Sequence, residues 1–80
     1  MKAIINVFLK EGILDPQGKA AGHALEVMGF KGVNEVRIGK QIALTLSTHD
    51  AQKAKAEAEA MAKALLVNEV IEEYTIEIVS

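Results

Sequence analysis

The stretch Asn34-Glu35-Val36-Arg37-Ile38-Gly39-Lys40-Gln41-Ile42-Ala43-Leu44-Thr45-Leu46-Ser47 carries one unbroken alternation. Val36, Ile38, Ile42, Leu44 and Leu46 share one parity, and Glu35, Arg37, Gln41 and Thr45 share the other. That is the pattern of extended chain with one buried face. What decides the fold is where this segment turns. A two-residue loop at Gly39-Lys40 would pair Ile38 with Gln41 and aim the polar parity of the second strand at the core. A three-residue loop, Gly39 to Gln41, pairs Ile38 with Ile42 and keeps both apolar sets together. The reading is therefore a hairpin with a three-residue loop, with one long bent strand as the alternative.

Outward from this segment the remaining elements follow. From Lys2 to Lys10, Ala3, Ile5, Val7 and Leu9 occupy one parity, while Ile4 and Phe8 mix with Lys2, Asn6 and Lys10 on the other. This predicts a strand with one apolar and one partly apolar face. Gly12 marks a turn. Asp15-Pro16 supplies an N-cap acceptor and a proline at the first helical position, where its missing N–H is not needed. Ala21, Ala24, Leu25 and Met28 then form an apolar helical stripe that Gly29 closes. Thr48 or Asp50 caps a second helix with the stripe Ala51, Ala54, Ala58, Met61, Ala62 and Leu65, and with an i,i+4 pair, Glu59 and Lys63, on its wet face. Val70 to Val79 alternates again as a last strand. The order β-α-β-β-α-β is the ferredoxin-like α+β sandwich, two helices on one face of an antiparallel sheet. Ile4, Phe8, Ala43, Ile71 and Val79 fall on parities that face away from the helices and mark a self-association surface.

Composition agrees with an associating module. The 80 residues, read as one domain over 1–80, include no cysteine, nine Lys plus Arg, eleven Asp plus Glu and 50% hydrophobic residues. A domain this small has a marginal core, disulfides and cysteine metal sites are excluded, and association is the remaining source of stability. The near-neutral charge and three aromatics argue against nucleic acid. No apolar run reaches the length of a membrane span, the Ala3–Leu9 run makes a poor secretory signal, and a cytoplasmic protein is expected.

No phosphate-loop, dinucleotide, zinc-helix or nucleophile-elbow spacing is present, so no catalytic residues are expected. His23 and His49 lie on different elements and read as surface residues, with no metal site. Glu72 and Glu73 are adjacent on a strand and point to opposite faces, which rules out an acid/base dyad. Three features invite more: the turn Leu14-Asp15-Pro16-Gln17-Gly18, where capping leaves Gln17 and Gly18 unexplained; the smooth flank Gly18, Gly22 and Gly29; and Arg37-Ile38-Gly39-Lys40, where two cations flank a turn.

Taken together, Val7 through Gly18, Met28-Gly29-Phe30, Val36 through Lys40 and Leu65 through Tyr74 resemble one family nearly end to end: PurS, the small subunit of phosphoribosylformylglycinamidine synthase. Glu69 departs from that family's pattern, which has proline after the asparagine. The resemblance implies a non-catalytic subunit in purine biosynthesis. It would form a homodimer or tetramer that bridges the PurL synthetase, which uses ATP and magnesium to activate formylglycinamide ribonucleotide, and the PurQ glutaminase, which supplies ammonia. It also implies partner contacts at the family's motif positions: Asp15, Gln17, Gly18, Arg37, Gly39, Lys40, Asn68 and Tyr74. A small-molecule-binding regulatory dimer of ACT type is the competing reading of the same topology.

Overall fold

The computed structural model describes residues 1–80. β1 (Lys2–Leu9) is the central strand of an antiparallel sheet of order β2-β1-β3, flanked by β2 (Lys40–Thr45) and β3 (Glu72–Val79). In register, Ile5 faces Ile42 on one side and Ile76 on the other, and Val7 faces Tyr74. The odd parity of β1 is therefore continuous with the apolar parities of both neighbours, and Ala3, Ile5 and Val7 are fully buried.

One helix covers that face. α2 (Ala51–Met61), extended by a π-helical turn over Ala62–Leu66, lays Ala54, Ala58 and Ala62 on the sheet. Three alanines at helical spacing let the helix axis approach closely, and with Val67 and the strand residues they form the core. The outer members of the expected stripe, Ala51, Met61 and Leu65, remain exposed. Asp50 caps this helix, accepting from the Gln52 amide at 2.9 Å, while Thr48 Oγ1 accepts from the Asp50 amide at 3.2 Å. The Glu59–Lys63 pair forms at 3.7 Å.

α1 (Pro16–Val27) begins as the sequence demands, with Asp15 as N-cap and Pro16 first. It ends in a Schellman arrangement: Gly29 has φ +96°, its amide donates to the Glu26 carbonyl, and the Phe30 amide donates to the Leu25 carbonyl, each at 3.0 Å. α1 does not pack on the sheet, however. Its stripe residues Ala24 and Met28 stay exposed, and the molecule is drawn out to 48 × 26 × 14 Å. The radius of gyration is 15.9 Å, against about 12 Å for a compact chain of this length.

The α+β, ferredoxin-like class stands, but the hairpin does not form. Only Lys40–Thr45 pairs with the sheet, and Asn34–Gly39 is extended chain outside it, so the sheet has three strands and α2 alone covers it. A three-residue hairpin loop ordinarily ends on a left-handed residue. Positive φ occurs only at Gly12, Gly29 and Gly32, so the chain runs through Gly39 without reversing. This is closer to the bent-strand alternative. Shared alternation cannot distinguish the two, because parity is the same whether or not the chain turns back.

Candidate functional site

The two motifs that the sequence left unexplained lie against each other at one end of the sheet. Asp15 is 9% exposed and uses both carboxylate oxygens: Oδ1 accepts from the Gly18 amide and Oδ2 from the Ile38 amide, each at 2.9 Å. One oxygen caps α1, and the other fixes a segment 23 residues away. The Arg37 guanidinium donates to the Leu9 and Lys10 carbonyls, the latter at 3.4 Å, and pairs with Glu35 at 3.6 Å. These contacts bind the 35–38 segment across the end of β1 and the start of α1.

Both glycines are needed for that crossing. A Cβ on Gly18 would overlap the Val36 carbonyl oxygen and lie 2.8 Å from Asp15 Oδ2. A Cβ on Gly39 would overlap the Val7 carbonyl oxygen and the Phe8 ring. Gly22 is different, since its Cβ would make an ordinary 3.5 Å contact with Val36 Cγ2. The supposed glycine flank thus contains one obligate position, Gly18, one permissive position, Gly22, and one helix terminator, Gly29.

Asp15 carries the electrostatics of this crossing. The Ile38 and Gly18 amides hold its carboxyl below the ordinary carboxylate range; partial burial opposes them and the Arg37 charge assists. A carboxyl whose folded pKa is depressed stabilises the fold in full above its unfolded value, and that contribution is lost as pH falls through the folded value. Urea midpoints measured from neutral pH downward are expected to hold level and then fall below the ordinary carboxylate pKa. Asp15→Asn, which cannot accept from both amides, is expected to start lower and to show a shallower acid limb. An unchanged acid limb would place the titration elsewhere.

The other motif residues surround this lock unequally. Gln17 and Lys40 are exposed, and Lys40 Nζ lies 3.8 Å from Glu72. With Val7, Leu9, Asp15 and Gly39 they line a groove of about 280 Å³. Asn68 builds the turn into β3: its Oδ1 accepts from the Val70 amide at 3.2 Å, and its own amide donates to Glu72 Oε1 at 2.7 Å. Tyr74 packs on the covered face beside the core rather than on the surface. Asp15, Gln17, Gly18, Arg37, Gly39 and Lys40 are therefore brought together, with Asn68 near them through Glu72 and Tyr74 apart. Sequence reasoning missed Glu72, which serves both Lys40 and Asn68. Its position four residues after an Asx turn was the available signal.

A second, larger cleft of about 630 Å³ opens between α1 and the 33–37 segment and includes Lys19, His23, Glu26 and Arg37. His49 stands before α2, far along the chain from His23, and no group of three His, Asp or Glu is placed to hold a metal ion. On the helix-free face, Asn6 accepts from Gln41 at 2.9 Å and donates to Glu77 at 3.4 Å, with Ile4 and Phe8 on either side. No helix is long and apolar enough to cross a membrane.

These features define a small ferredoxin-like α+β domain in which the distinctive motifs lock a projecting arm, α1 with the 33–39 segment, to the end of a sheet. The chain belongs to the PurS family: the family model described as phosphoribosylformylglycinamidine (FGAM) synthase matches residues 2–80. It is 43% identical to phosphoribosylformylglycinamidine synthase subunit PurS of Bacillus subtilis over 77 residues, covering 96% of this chain and 90% of that one. The crystal structure of Methanocaldococcus jannaschii PurS, one of the subunits of formylglycinamide ribonucleotide amidotransferase, superposes with a TM-score of 0.86 at 39% identity, covering 95% of this chain and 92% of that one. A chain in the structure of PurLQS from Thermotoga maritima does so with a TM-score of 0.86 at 32% identity, covering 95% and 93%.

Proposed function

We propose that this chain is the small, non-catalytic subunit of phosphoribosylformylglycinamidine synthase in purine biosynthesis, acting in the cytoplasm as a bridge between the PurL synthetase and the PurQ glutaminase. The observation that carries the reading is the near full-length likeness to a chain of the PurLQS structure. In this reading ATP and magnesium act in the synthetase, ammonia comes from glutamine at the glutaminase, and this chain holds the two together. A ligand-sensing dimer of ACT type is not the reading that these relatives support.

The lock at the end of the sheet is the proposed docking surface. Gln17, Lys40 and the groove they line offer side chains to a partner, while Asp15, Gly18, Arg37 and Gly39 set the backbone that presents them, and Asn68 fixes the adjoining turn. Tyr74 contributes through the core. The helix-free face, with Ile4, Phe8, Ala43, Ile71 and Val79, is the proposed self-association surface; Phe8, Ile71 and Val79 are more than a third exposed. The test is reconstitution of the glutamine-dependent reaction from purified synthetase and glutaminase, with and without this chain.

A further inference from the structure

Two turns meet at the end of the sheet that carries the lock. Residues 10–14 lead from β1 toward α1, and residues 68–71 lead into β3. The Lys10 amide donates to the Ile71 carbonyl at 2.8 Å and ties one turn to the other. Each turn is also closed on itself. The Ile13 amide donates to the Lys10 carbonyl at 3.1 Å, and the Ile71 and Glu72 amides donate to the Asn68 carbonyl at 3.1 and 2.7 Å. The Asn68 side chain and Glu72 Oε1 add the two contacts already described.

Both turns hold an aliphatic side chain out in water. Leu14 is 61% exposed and Val70 81% exposed. Turns ordinarily use Gly, Asn, Asp, Ser or Pro, and an aliphatic group left in water contributes no burial to the fold. The lock uses neither residue, since Asp15 makes the cap and Asn68 makes the turn. Both nevertheless adjoin the proposed docking groove: Asp15, next to Leu14, and Glu72, two residues past Val70, line it.

We infer that Leu14 and Val70 are apolar anchors through which this end of the sheet docks on a non-identical subunit of the synthase, and that the surface receiving them is an apolar pocket rimmed by lysine or arginine. The inference rests on the bridging reading and deepens it. Charge sets the rim. Glu11, Glu69, Glu72 and Glu73 stand in or beside the two turns against Lys10 and Lys40, and Lys40 is engaged with Glu72 at 3.8 Å. Carboxylates therefore dominate what remains, and a basic rim complements them. A second copy of the chain fits poorly, because an isologous contact across so small a patch brings the same carboxylates of both copies together. The backbone hydrogen bonds fix both turns in advance, so docking orders little that is not already ordered.

Titration calorimetry of the full chain into purified synthetase, glutaminase and their mixture tests this. The unmodified chain is expected to bind. Val70→Ala and Leu14→Ala, which remove exposed atoms only, are each expected to weaken binding about ten-fold or more. Val70→Asp is expected to weaken it further, and Glu69→Lys to weaken it by opposing the basic rim. All four variants are expected to keep the unfolding midpoint and the sedimentation behaviour of the unmodified chain. A chain that binds none of the three preparations overturns the bridging reading and this inference with it. A chain that binds while Val70→Ala and Val70→Asp bind as tightly overturns this inference alone. Tighter binding by Glu69→Lys overturns the basic rim, and a changed association state of the Val70 variants by themselves makes the occupant a second copy and overturns the proposal.

Discussion

Replacing Gly18 with alanine is expected to cost about 1–3 kcal/mol of stability, the range for forcing extra atoms into a filled site. The added methyl would collide with the Val36 carbonyl and press on Asp15 Oδ2, so relief requires moving backbone on one side and the cap of α1 on the other. Gly39→Ala meets the Val7 carbonyl and the Phe8 ring and is expected to behave alike. Gly22→Ala reverses the sign. It sits within α1 with ordinary van der Waals room, and alanine there is expected to stabilise by about 0.5–1 kcal/mol through better helix propensity. Thermal unfolding of the three variants at one protein concentration checks this. Equal effects at all three positions would contradict the crossing of α1, β1 and the 36–39 segment described above.

Ile5→Ala is expected to be the most damaging single substitution. Ile5 is fully buried at the centre of the middle strand, between Ile42 and Ile76. Truncation of such a side chain costs about 2–5 kcal/mol, including the cavity it leaves. A chain of this size has about 4–12 kcal/mol in total. The core has little to redistribute, because Ile5 and Val7 are the largest fully buried side chains and much of the rest is alanine. A drop of at least about 10 °C in the unfolding midpoint is expected by calorimetry. A shift no larger than that of an exposed position would mean that the sheet is not the folding core.

Most of the local structure was legible, for a physical reason: caps and periodicities act within a few residues. Asp15-Pro16 announces α1, Gly29 ends it, Thr48 or Asp50 offers a cap for α2 and Asp50 supplies it, and the strand parities place Ala3, Ile5 and Val7 inside. What failed was non-local. Parity along 34–46 is silent on whether the chain reverses at Gly39, and the answer lies in Asp15, which captures the Ile38 amide 23 residues away. The apolar stripe of α1 likewise predicts a helix with a face to bury but not where that face goes, and Ala24 and Met28 stay exposed off the sheet. The sequence marks Gly22, an interior helix glycine, as the place where another backbone comes close, yet it has ordinary room; Gly18, unexplained by capping, and Gly39, expected only to serve a turn, are the points where backbone passes against backbone. Asn68 and Tyr74 were singled out by family likeness alone, and their geometry gives them a turn and a core contact.

The most direct measurement is formation of formylglycinamidine ribonucleotide by purified synthetase and glutaminase subunits, with glutamine or with free ammonia, in the presence and absence of this chain. Activity with glutamine is expected to require the chain, and activity with ammonia is expected to be independent of it, since bridging matters only when ammonia must come from the other subunit. Glutamine-dependent activity that is the same with and without the chain would contradict the bridging role.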